Sequence, residues 1–290
     1  LGRRGINEVL AEAGTRLKLR WLANNPWLLA MSLAESLFTA LLCFAVLRSF
    51  GVEATVAWPL ALVAMAVSPA VLQRVAGELH AAGQVTERML ALGALSTLYA
   101  VLALKLLSAG WLLSDPHTWL QALSPVLFSF FGSILLGAAM GEALALIARR
   151  LDLREDNAMV LLLAAVLLAL VVAKTLQLST VLVPLLAGLW LGNRSERPWV
   201  WPRHFGSAGA ALVLVMFVGV GSAWSMEALA AGGGVALALV LARAIAKAGA
   251  IHALAKPSGM AWRQAGCLAM ALTPMSATTG HAGVRNIVQR

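Results

Sequence analysis

The chain of 290 residues is strongly apolar and carries a net positive charge. Hydrophobic residues make up 60% of it and charged residues only 12%, with a formal net charge of +9 and a mean hydropathy of +0.83. Soluble domains average about 25% charged residues, so this composition excludes an ordinary soluble protein. The apolar residues also form blocks long enough to cross a hydrocarbon layer of about 30 Å, which predicts an integral membrane protein.

The apolar blocks predict an all-α polytopic fold with about nine transmembrane helices. In chain order the predicted spans are 27–47, 55–73, 89–113, 122–148, 158–176, 179–192, 206–224, 234–254 and 264–280. The predicted domain organisation is a surface segment over 1–26, a transmembrane domain over 27–280 and a tail over 281–290.

The basic residues between the spans predict the orientation of the chain. Lys and Arg are retained in cytoplasmic loops, and most of the 22 basic residues fall on the cytoplasmic side if the N-terminus lies there. A bacterial inner membrane with a cytoplasmic N-terminus is the predicted location. The basic residues are scattered without interleaved aromatic residues, so they do not indicate nucleic-acid binding.

Two basic residues lie in the middle of a predicted span, in the stretch "ALVLARAIAKAGAIHAL". Arg243 and Lys247 are four residues apart and therefore share one helix face. A charge at mid-membrane costs at least ~2.5 kcal/mol, so we expect both side chains to face a protein interior, a water-filled cavity or a bound anion. A structural ion pair is the alternative. Glu35 lies deepest among the acidic residues and is the predicted partner of one of them, whereas Glu142 is predicted to reach Arg149 or water.

Other polar residues give weaker signals. Lys105 and Lys174 lie near the ends of their spans and are predicted to extend to water. The five histidines and two cysteines show no metal-ligand spacing, and no phosphate-binding loop is present. The sequence therefore predicts no enzyme, no cofactor and no metal site.

A proline inside the apolar run is notable in the second and the ninth predicted spans. "AVSPAV" places Ser68 and Pro69 in the second span, and "ALTPMSATTG" places Thr273 and Pro274 in the ninth. Proline removes a backbone hydrogen bond and clashes with the preceding turn, so each span is predicted to be broken. Interrupted helices in corresponding halves mark the binding site of a transporter, and these two spans run in opposite directions, as an inverted repeat requires. Two ordinary kinks are the alternative.

Several stretches resemble the monovalent cation:proton antiporter superfamily, which includes sodium/proton antiporters. They are "SPAVLQRVAGELHAAGQVTERMLALGALSTLYAVLAL", "LQLSTVLVPLLAGLWLGN", "LVLARAIAKAGA" and "WRQAGCLAMALTPMSA". The resemblance covers about 27–280. It implies inverted repeats with two broken helices that cross, a core bundle that moves against a dimerisation bundle, a homodimer or membrane complex, and exchange of a monovalent cation for a proton.

The sequence departs from this family at the ion-binding helix. Ser96 and Thr97 stand where the family carries aspartate. A hydroxyl can coordinate a cation but does not titrate at working pH, so these two residues do not supply the usual carboxylate relay. The resemblance also implies that the chain begins one or two spans late and ends one span early. The predicted ion- or substrate-binding set is Ser96, Thr97, Glu35, Arg243 and Lys247.

Three functions remain open at the level of sequence. The first is exchange of a monovalent cation and a proton by a relay without the usual aspartate. The second is transport of an anion or organic acid that binds Arg243 and Lys247. The third is a structural, sensory or accessory membrane subunit that keeps the fold without transport.

Overall fold

A computed structural model of the protein describes residues 21, 24–81, 83–111, 119–150, 156–194, 218 and 226–273. Within these residues the fold is almost entirely helical, as predicted. The helices are α1 (Pro26–Ser49), α2 (Ala54–Met65), α3 (Pro69–Glu78), α4 (Gln84–Trp111), α5 (Trp119–Arg150), α6 (Asp156–Thr175), α7 (Leu182–Arg194), α8 (Met226–Ala253) and α9 (Trp262–Ala271).

Four of these helices contain segments long and apolar enough to cross a membrane. The segments are Pro26–Ser49, Gln84–Ser108, Ser124–Leu146 and Gly232–Ala253, and Ala54–Met65 and Ala164–Thr175 are shorter apolar segments. Large apolar side chains on their outer faces are exposed, among them Leu37, Leu135 and Ile245. Such side chains suit a hydrocarbon solvent, and the protein is an integral membrane protein.

The helices follow most of the predicted spans, with three differences. The predicted span 55–73 is two helices, α2 and α3, separated by residues 66–68. The last described helix, α9, ends at Ala271, and residues 274–280 of the predicted span 264–280 lie outside the described residues. The predicted span 206–224 lies outside the described residues except for Val218.

The break between α2 and α3 has a local cause in the sequence. Ala66 has extended backbone angles, φ −68° and ψ 139°. Pro69 is the first residue of α3, where its missing N–H is not needed, and the residue before a proline is disfavoured in a helix. The Ser68 hydroxyl lies 3.5 Å from the Val71 backbone N–H, as a helix N-cap does. The prediction of a broken helix at Ser68 and Pro69 is confirmed.

The chain forms two compact units. One contains Leu1–Leu19 and Lys105–Ser222, and the other contains Arg20–Leu104 and Ala223–Arg290. We call the first the α5–α7 unit and the second the broken-helix unit. The division falls within α4, and all of the described residues predicted to bind ion or substrate belong to the broken-helix unit.

Helices α5 and α7 of the α5–α7 unit approach closely at two glycines. A Cβ atom added to Gly137 would lie 2.8 Å from the Leu186 Cβ, and one added to Gly141 would lie 2.8 Å from the Ala187 carbonyl oxygen. The four-residue spacing of these glycines is the small-residue pattern that lets membrane helices pack closely. Any side chain at either position would push the two helices apart.

Gly141→Ala is expected to lower the free energy of unfolding by about 1–3 kcal/mol, because a backbone carbonyl cannot move aside for the new methyl group. The measurement is unfolding of the purified protein in mixed micelles of increasing denaturing detergent. Gly266→Ala is the control, since a Cβ at Gly266 meets nothing within 4 Å. Equal stability of the two variants would contradict the close packing.

One prediction about a charged side chain in the α5–α7 unit needs correction. Lys105 is half-buried and donates a hydrogen bond to the Ser129 hydroxyl, where the sequence suggested a side chain that extends to water. Glu142 accepts a hydrogen bond of 3.1 Å from the Trp190 indole N–H and lies 3.7 Å from the Arg194 Nε. Of the two predicted partners of Glu142, Arg149 has a side chain outside the described residues, and water can reach the carboxylate because the Glu142 side chain is 36% exposed.

Candidate functional site

A polar stripe runs along one face of α1 inside an otherwise apolar helix. Its members recur every three or four residues and are all buried: Ser32, Glu35, Ser36 and Thr39. This spacing places them on one helix face, and α8 packs against α1. The Thr39 hydroxyl donates to the Glu35 carbonyl oxygen at 2.7 Å, and the Ser36 hydroxyl donates to Glu35 Oε2 at 3.2 Å.

Glu35 forms an ion pair with Lys247 of α8. Lys247 Nζ donates to Glu35 Oε1, and both side chains are fully buried. The same ammonium lies 3.3 Å from the carbonyl oxygen of Met65, the last residue of α2. The prediction that Glu35 pairs with one of the two basic residues is therefore confirmed for Lys247. Removing one partner of a buried pair leaves an uncompensated charge and is strongly destabilising.

Arg243, one helical turn before Lys247, contacts the ends of both α2 and α9. Its guanidinium donates to the carbonyl oxygens of Ala64 and, at 2.9 Å, of Ala66. It also donates to the Thr273 carbonyl oxygen at 3.2 Å and to that of Leu272 at 3.4 Å. The planar fork of an arginine suits this task, because its five N–H groups can satisfy several acceptors at once. Arg243 thus joins two helix ends that are far apart in sequence.

The electrostatics of these contacts are close to balanced. The carboxyl end of each helix carries a partial charge of about −0.5, and here α2 and α9 both end at Arg243. Together with the carboxylate of Glu35, the contacting groups nearly neutralise Arg243 and Lys247. The two basic side chains therefore do not require a bound anion.

Ser96 and Thr97 on α4 contact the break between α2 and α3. The Ser96 hydroxyl donates to the Gly93 carbonyl oxygen at 3.0 Å and accepts a hydrogen bond of 3.3 Å from the Val67 N–H. The Thr97 hydroxyl lies 2.9 Å from both the Val67 and the Gly93 carbonyl oxygens, so its single proton can go to either. These contacts satisfy backbone groups that the broken helix frees. Ion binding by the two hydroxyls stays a prediction.

The structure brings Glu35, Lys247 and Arg243 together at the end of α2, and Ser96 and Thr97 contact Val67 in the break after it. Ser68, the N-cap of α3, is adjacent in sequence. Thr273 contributes its carbonyl oxygen to Arg243, while its hydroxyl donates back to the Met270 carbonyl oxygen. Pro274 lies outside the described residues.

Sequence reasoning missed the oxygen atoms of the backbone and part of the polar stripe. The residue types at the ends of α2 and α9 do not indicate that their backbone carbonyl groups take part in the site. The positions of Ser32 and Ser36 could have been found, because "MSLAESLFT" repeats polar residues at helical spacing.

Arg88 also differs from its predicted place in a loop, since it lies buried in α4 and donates to the Ser258 carbonyl oxygen at 2.9 Å. Within the described residues, no group of three or more His, Cys, Asp or Glu side chains forms a metal site.

Comparison with known proteins agrees with this architecture. A family model described as the transmembrane region of sodium/hydrogen exchangers matches residues 9–283. The chain is also similar to the structure of the sodium proton antiporter MjNhaP1 from Methanocaldococcus jannaschii at pH 8, with a TM-score of 0.68 and 19% sequence identity, over 92% of this chain and 68% of that one. No curated protein matches the chain significantly.

Proposed function

Because the chain belongs to the sodium/hydrogen exchanger family, we propose that it is a secondary transporter that exchanges a monovalent cation for a proton without the family's usual aspartate. The observation that carries this proposal is the buried ion pair of Lys247 and Glu35 beside the carbonyl oxygen at the end of α2. A titratable pair buried within membrane-spanning helices is a functional feature by default.

Glu35 supplies the chemistry that the hydroxyls at positions 96 and 97 lack. A carboxylate can bind a proton or a metal cation, whereas a serine or threonine hydroxyl keeps its proton at working pH. Among the residues whose burial is described, Glu35 is the acidic one that is buried. Exchange would begin when a cation approaches Glu35 and replaces the ammonium of Lys247. Lys247 then releases one proton, so that one cation is exchanged for one proton.

The remaining predicted residues have supporting roles in this proposal. Arg243 holds the carbonyl ends of α2 and α9 and neutralises their partial charges. Ser96 and Thr97 hold the break at Val67 through their hydroxyl groups. The orientation with a cytoplasmic N-terminus, the inner membrane and a homodimer are proposed from the basic loops and from the family resemblance.

A specific observation favours a second candidate, a membrane subunit that does not transport. The hydroxyls of Ser96 and Thr97 are bonded to the backbone of the break, and Arg243 bridges both helix ends. Such contacts could stabilise one conformation of the crossing rather than an ion-dependent cycle. The anion carrier receives no such support, because the charges of the two basic residues are nearly balanced by groups of the protein.

The test is proton movement across the membrane of liposomes that contain the purified protein and a pH-sensitive dye. Addition of sodium, lithium or potassium is expected to move protons, while addition of an organic cation too large for the site is expected to leave the dye signal unchanged. Liposomes without protein provide the background. If none of the three metal ions changes the dye signal, with protein shown to be folded, the result would favour the non-transporting subunit.

A further inference from the structure

Ser32 on α1 has a fully buried hydroxyl group without a hydrogen-bond partner. Buried polar atoms are nearly always bonded to protein or water, so each exception calls for an explanation. Serine in a helix commonly donates back to the carbonyl oxygen four residues earlier, as Thr39 does on the same helix. Ser32 makes no such bond, and its oxygen is therefore available to a ligand.

The position of Ser32 relates this oxygen to the ion pair. Ser32 lies one helical turn before Glu35 and Ser36, on the same buried face of α1. Glu35 presents Oε1 to Lys247 and Oε2 to the Ser36 hydroxyl, and the Met65 carbonyl oxygen also accepts from Lys247. The face thus carries a carboxylate, hydroxyl oxygens and a nearby backbone carbonyl, with one hydroxyl unsatisfied.

We propose that the Ser32 hydroxyl, the Glu35 carboxylate and the Met65 carbonyl oxygen form the binding site for the monovalent cation. The site would then lie on α1, and the hydroxyls of Ser96 and Thr97 on α4 would serve to hold the broken helix. Hard cations take oxygen ligands of these kinds. This inference rests on the proposed exchange of a cation for a proton, and it adds the residues that receive the cation.

The site explains why Lys247 and a metal cation would compete. Both would use Glu35 and the Met65 carbonyl oxygen, which the Lys247 ammonium contacts in the described structure. Ser32 lies outside these contacts and would interact with the metal ion alone. A change at Ser32 therefore separates cation binding from the ion pair.

The experiment compares Ser32→Ala with Ser49→Ala, the same substitution on the same helix. Ser49 is exposed and donates to the Val46 carbonyl oxygen at 2.7 Å. For Ser32→Ala, the sodium concentration that gives half-maximal proton flux is expected to rise about tenfold, the effect of losing one ligand interaction of ordinary strength. The maximal flux and the melting temperature without sodium are expected to stay at the level of the unaltered protein. Ser49→Ala is expected to behave like the unaltered protein in every measurement.

A second measurement separates this inference from the proposed function. Sodium added to the protein in detergent is expected to raise its melting temperature, and Ser32→Ala is expected to reduce that rise. If Ser32→Ala shows proton flux with an unchanged half-maximal sodium concentration, the proposed site is wrong and the proposed exchange still stands. Absence of flux in the unaltered protein would overturn the exchange, and the melting shift would then decide whether Ser32 binds sodium. A lower melting temperature of Ser32→Ala without sodium, with normal sodium dependence, would identify Ser32 as a structural residue and also overturn the site.

Discussion

Glu35→Gln is expected to abolish cation-dependent proton flux and to lower the free energy of unfolding by about 3–5 kcal/mol. Glutamine has a similar shape but carries no charge and does not titrate. It would leave the ammonium of Lys247 fully buried beside a neutral amide. The measurements are proton flux in liposomes and unfolding in denaturing detergent, carried out on the same preparation.

A double variant separates the loss of charge pairing from the loss of exchange. Glu35→Met combined with Lys247→Met removes both charges, and replacing a buried pair by hydrophobic groups of similar volume is often neutral for stability. The double variant is expected to regain most of the lost stability and none of the flux. Glu142→Gln is the matched control, because Glu142 is on the other unit and partly exposed. Normal flux in Glu35→Gln would remove this carboxylate from the mechanism.

The pairing of Glu35 with a basic residue could be predicted because the sequence offers few alternatives. Apolar spans contain two glutamates and no aspartate, and a mid-membrane charge needs a partner. The choice between Arg243 and Lys247 could not be made, since the two share a helix face and sequence does not place one helix beside another. The structure assigns the carboxylate to Lys247 and backbone carbonyls to Arg243.

The break between α2 and α3 was predictable for a different reason, which is local. Proline disfavours a helix at its own position and at the residue before it, and the second span is interrupted at Ser68 and Pro69. Pro59 and Pro125 lie inside α2 and α5 without breaking them, so proline alone does not fix where a break falls. Hydrophobicity is a less exact guide to the bounds of helices. The apolar run predicted a start at 89, whereas α4 begins at Gln84 and carries Arg88 inside the protein. Long-range contacts such as that of Lys105 with Ser129 leave no pattern in the sequence.

Arg243→Ala is expected to lower the free energy of unfolding by about 3 kcal/mol or more, because each buried acceptor left without a donor costs about 1–3 kcal/mol. The variant would leave carbonyl oxygens at the ends of both α2 and α9 without their donor. Arg243→Lys keeps the charge but has a compact ammonium in place of the planar fork. Its stability is therefore expected to lie between those of the unaltered protein and Arg243→Ala. Unfolding in denaturing detergent measures all three proteins.

Guanidinium ion tests whether Arg243 acts through this set of carbonyl contacts. In Arg243→Ala the space left by the side chain is lined by the same oxygen atoms, and a small planar cation could occupy it. Guanidinium at concentrations far below those that denature is expected to raise the melting temperature of Arg243→Ala and to leave the unaltered protein unchanged. Methylammonium is the control, since it carries the charge without the fork. An equal rise in melting temperature with both ions would mean that Arg243 contributes charge alone. If neither ion has an effect and Arg243→Ala is as stable as the unaltered protein, the bridge between the helix ends is dispensable.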